Sequence, residues 1–171
     1  MANLFVYGSL RSEKVLRALL RRVPKTMEGV LYCKDEYEYV RYALKPPAPY
    51  PVVIREKKKS NYNYRKDDTY EVDGLILCDL DEASMTVLDE FEGDLYRRIP
   101  VEVKLKENGR IVRSESYIVL DEERSEANRW IDFERPWSFD EFCEPSTLDA
   151  FLRECVPGST HPGPLGNADE V

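Results

Sequence analysis

The chain has 171 residues, enough for one substantial core and too few for two ordinary domains with a linker. Apolar residues make up 42% and charged ones 34%, the balance of a folded chain rather than a disordered one. With 33 Asp+Glu against 25 Lys+Arg the net charge is −8, which argues against bulk tracking of nucleic-acid phosphates.

The first apolar run, Leu4–Tyr7, stops at Gly8-Ser9 and reads as a buried strand followed by a tight turn. Ser12 is placed to cap a helix with Val15, Leu16, Leu19 and Leu20 on one face and Arg17, Arg21 and Arg22 in water; Pro24 ends it. Strands are expected around 29–32 and 37–43. A Pro-rich turn, Lys45-Pro46-Pro47-Ala48-Pro49, then leads to another apolar run, Tyr50–Ile54. Residues 55–69 are so charged that they read as a long solvated loop or hairpin tip.

The core resumes at Val72–Leu80, apolar enough for a central strand, after which Asp81 caps a short helix running to about Phe91. Ile99, Val101, Val103 and Leu105 alternate with polar residues, Asn108-Gly109 supplies a turn, and Ile111–Leu120 returns as a hairpin. Beyond Leu120 the pattern is helical and aromatic. Ser138 with Glu141 forms a capping box, and a second short helix from Ser146 carries Leu148, Phe151 and Leu152. From Val156 the chain reads as a disordered tail, so residues 1–155 make one domain and 156–171 lie outside it. The class is α+β and strand-dominated: a curved antiparallel or mixed sheet, open or closed as a barrel, with peripheral helices.

Residue types narrow the chemistry. The single histidine, His161, sits in the Pro/Gly-rich tail, so Ser/His or Cys/His nucleophilic pairs and histidine metal sites are not expected. Cys33, Cys78, Cys143 and Cys155 form no Cys-x-x-Cys motif and read as buried free thiols in a reducing, cytoplasmic setting. No signal peptide or membrane span is legible.

One carboxylate looks out of place. On the 82–91 helix, Met85, Leu88 and Glu92 share a face, and two of the three are core-type residues. Asp89 and Glu90 fall on other faces and read as solvated acids. Glu92 precedes Gly93, a natural helix stop, so both the helix dipole and partial burial would raise its pKa towards the range of a proton shuttle. Pairing of Glu92 with Arg97 or Arg98 is the structural alternative, and the residues alone leave both open. At Tyr7-Gly8-Ser9-Leu10, free N–H groups between strand and helix offer an anion cradle, though such a turn is weak evidence alone.

Taken together, Phe5-Val6-Tyr7-Gly8-Ser9-Leu10, Tyr50-Pro51-Val52-Val53-Ile54 and Leu88-Asp89-Glu90-Phe91-Glu92-Gly93 with Tyr96-Arg97-Arg98 carry a resemblance. With Tyr117 and the Trp137–Phe142 segment, they resemble the gamma-glutamylcyclotransferase superfamily, AIG2-like branch, over residues 4–152. The resemblance implies a compact mixed β-barrel with peripheral helices. It implies Glu92 as the catalytic residue and Tyr7, Gly8, Ser9 and Leu10 as the substrate-holding turn, with Tyr50 and Tyr117 as further substrate contacts. The implied reaction cyclises a γ-glutamyl group to 5-oxoproline and releases an amine or peptide, with no cofactor or metal. The partners expected are a small γ-glutamyl substrate, no nucleic acid and no membrane, in a monomer or homodimer.

Three other readings stand beside it. A non-catalytic module would hold γ-glutamyl or other carboxylate ligands in the same pocket. Lys57–Lys59, Tyr62, Tyr64, Arg65 and Lys66 would form a nucleic-acid patch, which the net charge disfavours. Asp89 and Glu92 would form a glycosidase pair, but three residues apart on one helix they are badly placed to flank a sugar. The 55–69 segment and residues 121–171 extend beyond the smallest members of the superfamily and leave the pocket mouth undetermined.

Overall fold

Strand β1 (Ala2–Val6) runs through the middle of the molecule because its alternating side chains are apolar on both sides. Phe5, with the following Tyr7, faces a core shared with Ile76, Val101, Val103 and Ile118. Leu4 and Val6 face a second core, with Leu16, Leu77, Leu88 and Phe151, under the helices. The computed structural model describes residues 1–34, 36–58, 71–94 and 96–157.

The chain continues through a 3₁₀ turn (Ser9–Arg11), α1 (Glu13–Leu20), β2 (Thr26–Tyr32), β3 (Tyr37–Leu44) and β4 (Pro51–Lys57). Next come β5 (Asp73–Leu80), α2 (Glu82–Glu92), β6 (Arg97–Leu105) and β7 (Ile111–Ile118). The rest is short: α3 (Arg124–Ala127), β8 (Ile131–Asp132), α4 (Phe139–Phe142) and α5 (Pro145–Cys155). Five strands close into a mixed barrel in the order β1-β5-β2-β6-β7. Only the closing pair, β1 with β7, is parallel. A second, antiparallel sheet of order β4-β3-β8 joins the barrel through a bridge between Ile54 and Val119.

The α+β class, the barrel and the peripheral helices agree with the sequence reading, and β5 is the expected central strand, held between β1 and β2. Asp81 caps α2 as expected, its Oδ1 accepting from the Ser84 amide at 2.7 Å. Local expectations fail elsewhere. Ser12 occupies the cap position of α1, but its side chain makes no capping bond. That helix ends at Leu20, well before Pro24, because Arg21 adopts a left-handed conformation (φ 60°).

Residues 55–57 are strand, not loop. Glu56 is only 2% exposed there, paired with Arg124 and accepting from the Tyr42 hydroxyl at 3.2 Å. Residues 59–69 of the expected loop, with Tyr62, Tyr64, Arg65 and Lys66, lie outside the described residues. So does His161. Val156 does not begin a tail; it packs, 3% exposed, in the core beneath the helices. The cysteines are all free, but only Cys78 is buried, and Cys155 is exposed. No helix among the described residues is long and apolar enough to cross a membrane.

A buried carboxylate that loses its cation keeps its desolvation cost. Arg124→Ala is therefore expected to lower stability by about 3 kcal/mol, measured as a drop in urea midpoint with unchanged slope.

Candidate active site

Five elements border one cavity of about 210 Å³. The turn after β1 supplies Tyr7, Gly8, Ser9 and Leu10; the approach to β4 supplies Tyr50 and Pro51; the last residues of α2 supply Phe91 and Glu92. Tyr117 comes from β7, while Phe151 and Cys155 come from α5. All seven residues singled out from the sequence (Tyr7, Gly8, Ser9, Leu10, Tyr50, Glu92 and Tyr117) line this one space.

The turn is built by close approach. A Cβ on Gly8 would lie 2.8 Å from Pro51 Cδ, so any side chain there would push β4 away from the cavity wall. The sequence reading placed Gly8 in a turn that holds substrate; in the structure, chain packing against Pro51 by itself demands a glycine there. Arg11 N–H donates to Gly8 C=O at 3.0 Å, closing the 3₁₀ turn whose leading amides, at Ser9 and Leu10, have no acceptor within it. Leu10 is 2% exposed with its side chain in the helix-side core, so what it can offer a ligand is its backbone. Behind the turn, Arg41 donates to the carbonyls of Tyr7 (3.2 Å) and Asp73 (3.1 Å) and to the Asp73 carboxylate (2.8 Å). Burial works against ionising Asp73, yet the bond from Arg41 and the charge of Arg11 hold its carboxyl below the usual range.

Glu92 is the last residue of α2, half-buried at the cavity wall beside Phe91 and Tyr96. Gly93 follows with φ 70°, and its N–H donates back to Asp89 C=O at 3.1 Å to finish the helix. Loss of hydration pushes the Glu92 carboxyl up to about 8. The structural alternative is not what is found. Arg97 pairs with Glu123 at 2.6 Å, and Arg98 with Asp89 at 3.0 Å and Glu115 at 2.6 Å. Among the described residues no ion pair reaches Glu92.

The tyrosines around it are held protonated. Burial, with the nearby Tyr96 and Glu92, raises Tyr7 well above its ordinary value; burial and Glu92 do the same for Tyr96. Tyr7 donates to Tyr117 C=O at 2.5 Å, and Tyr96 to Pro51 C=O at 3.2 Å. Tyr117 donates to Asp89 Oδ1 at 2.7 Å, and burial followed by that bond drives its pKa strongly up. Asp89 is thus not the simply solvated acid read from the helix face: it ties Tyr117 to Arg98. Sequence reasoning also omitted Tyr96, Phe91, Phe151 and Cys155 from the wall. Tyr96 lay within a quoted motif; the α5 residues carried no signal, since helical spacing says nothing of which cavity a helix covers.

The arrangement offers one carboxyl able to exchange a proton near neutrality, hydroxyls that stay protonated, and a turn with amides free of helical partners. Among the described residues no cluster of His, Cys, Asp or Glu could hold a metal ion.

Residues 4–139 match the family model for gamma-glutamyl cyclotransferase, AIG2-like. The chain belongs to this family. Protein AIG2 C of Arabidopsis thaliana is 28% identical over 145 residues, covering 82% of this chain and 71% of the relative. AIG2-like protein C of the same plant is 31% identical over 132 residues, covering 77% and 67%. A Methanocaldococcus jannaschii protein named as a gamma-glutamylcyclotransferase and putative RNase is 28% identical over 121 residues, covering 69% of this chain and 45% of the relative. Among solved structures, an Arabidopsis thaliana protein superposes with a TM-score of 0.53 at 28% identity, covering 82% of this chain and 72% of that one. An AIG2-like protein of Mus musculus does so with a TM-score of 0.52 at 21% identity, covering 70% and 77%, a likeness of fold alone.

The raised carboxyl has a stability signature. Glu92 keeps its proton in the folded state up to about pH 8, whereas the unfolded chain releases it near the ordinary glutamate value. The folded form therefore loses stability as pH rises between those values and levels off above 8. Allowing for partial water access, Glu92→Gln is expected to be about 1–3 kcal/mol more stable than the wild type at pH 8. At pH 5 the two should melt nearly together. Thermal unfolding at both pH values checks this.

Proposed function

We propose that the chain is a cofactor-free cyclotransferase, with Glu92 as its catalytic base and acid and a γ-glutamyl conjugate as substrate. The observation that carries this reading is Glu92 itself: a carboxyl raised to about 8, with no paired cation, facing the same cavity as the Tyr7–Leu10 turn. A cavity of about 210 Å³ is below the roughly 300–1,000 Å³ usual for drug-sized ligands, and so suits one small polar group.

In the proposed reaction the turn amides hold the substrate's α-carboxylate or the oxygen of its γ-carbonyl. Ionised Glu92 takes a proton from the α-ammonium, and the freed amine attacks the γ-carbonyl carbon of the same group. A tetrahedral oxyanion forms. As it collapses, Glu92 returns its proton to the leaving nitrogen and the bond from carbon to that nitrogen breaks. The ring nitrogen, which still carries two hydrogens, gives one of them through the Glu92 carboxylate to the departing amine, leaving a neutral lactam N–H and an ammonium. The products are 5-oxoproline and a free amine or peptide. Because nucleophile and electrophile belong to one molecule, holding them in a near-attack geometry supplies much of the acceleration. Tyr7, Tyr50 and Tyr117 shape the wall and exclude water; Asp89 fixes the Tyr117 ring.

Incubation with γ-glutamyl dipeptides and γ-glutamyl-ε-lysine should release 5-oxoproline, detected by mass spectrometry. Glu92→Gln should lose roughly 10²–10⁴-fold in kcat with its fold intact. For the wild type, kcat/KM should climb about tenfold per pH unit below neutrality and bend near 8, as Glu92 ionises. Binding of such a ligand without turnover would favour a ligand-holding module instead. Full activity in Glu92→Gln would refute the mechanism.

A further inference from the structure

The candidate cavity is not isolated. Tyr50, Phe151 and Cys155 line it and also line a second concavity of about 800 Å³. The two spaces differ in chemistry. The smaller ends in a carboxyl and free amides, whereas the larger is mostly apolar, built from the 45–49 run, one face of α5 and Trp130. Apart from the Arg129, Thr147 and Glu154 side chains, the polar groups of its lining are largely occupied. Lys45 Nζ donates to Arg129 C=O at 3.1 Å, the Lys45 amide to Trp130 C=O at 2.7 Å, and Trp137 Nε1 to Pro49 C=O at 2.8 Å. Proline rings bring no N–H of their own to the wall. Such a floor makes few hydrogen-bond demands and rewards apolar contact.

Trp130 at the edge of this groove is 58% exposed, which is high for an indole. The shared wall also has an open side, because Phe151 is buried but Cys155 is exposed. A substrate whose γ-glutamyl group fills the smaller cavity must carry the rest of its mass out of it. The space bordering that cavity over Tyr50 and Cys155 is the apolar groove.

We propose that this groove receives the leaving-amine portion of the substrate, so that the favoured substrates are γ-glutamyl conjugates of amines or peptides bearing a bulky apolar or aromatic group. The inference rests on the cyclotransferase reading above and adds the class of the released half. It requires no new chemistry: the bond broken is the same, and only the contacts of the departing nitrogen's substituent change. Trp130 and Ala150 line the groove and not the candidate catalytic cavity.

The test is a series of γ-glutamyl dipeptides with glycine, leucine, phenylalanine or tryptophan as the second residue, whose leaving nitrogens have similar basicity. Release of 5-oxoproline should rise in kcat/KM by about ten- to a hundredfold from γ-glutamylglycine to the aromatic members. Trp130→Ala should remove much of that gain, and Ala150→Trp, which fills the groove, nearly all of it. Both variants should process γ-glutamylglycine at the wild-type rate, which also certifies their folding. Equal rates across the series, or variants that slow γ-glutamylglycine as much as the aromatic substrates, would overturn the groove assignment and leave the cyclotransferase reading standing. No 5-oxoproline from any member would overturn both.

Discussion

A carboxyl that no cation among the described residues pairs with is the constraint around which this structure is arranged. Guanidinium groups are not scarce near the cavity, but each is engaged elsewhere. Arg98 is taken by Asp89 and Glu115, Arg97 by Glu123, and Arg11 and Arg41 by Asp73. Were any of them to swing onto Glu92, the carboxyl would ionise at ordinary acidity and lose its capacity to exchange protons near neutrality. The surface acids that look merely solubilising therefore also keep the arginines away. Asp89 does this from three residues back on the same helix, and its second oxygen contact fixes Tyr117.

Position follows from the barrel. β1 has partners on both edges and apolar neighbours on both faces, so its carboxyl end is among the most constrained points in the chain. The Tyr7–Leu10 turn inherits that rigidity, reinforced by Arg41 from the second sheet and by the contact of Gly8 with Pro51. β5 runs antiparallel to β1 and ends beside Ala2, at the far end of the barrel; α2 then runs back, which brings Glu92 to the cavity with the Tyr7–Leu10 turn. A rigid site on strand ends, bordered by Phe151 of α5, is what an intramolecular reaction driven by positioning requires.

Much of this was legible in the residues, for identifiable reasons. Continuous apolar runs located β1 and β5, while period-two and helical spacing located the β6–β7 hairpin and α2, each of which buries one well-defined face. Glu92 stood out because its neighbours on that face, Met85 and Leu88, are buried. What stayed hidden depends on contacts between distant segments. Glu56 looked like part of a charged loop because nothing local announces that Arg124, far along the chain, will neutralise it. Asp89 was misread for the same reason, its partners lying on β6 and β7. β8 is two residues long, too short for any periodicity. Val156 follows a polar helix end, and only the packing of α5 shows that it is covered.

The parallel pairing of β1 with β7 also bears on how the chain is made. Residues 2–6 emerge from the ribosome well before their partners, β5, ending at Leu80, and β7, ending at Ile118. Both edges of this apolar strand stay open until β5 has followed, and the edge that takes β7 stays open until more than about a hundred residues have followed. The last step of barrel closure joins segments far apart in sequence, the kind of contact that forms late and slowly. Synthesis thus leaves Leu4, Phe5 and Val6 exposed while their partners are made, which makes this strand a natural handle for a chaperone and a place where aggregation would begin.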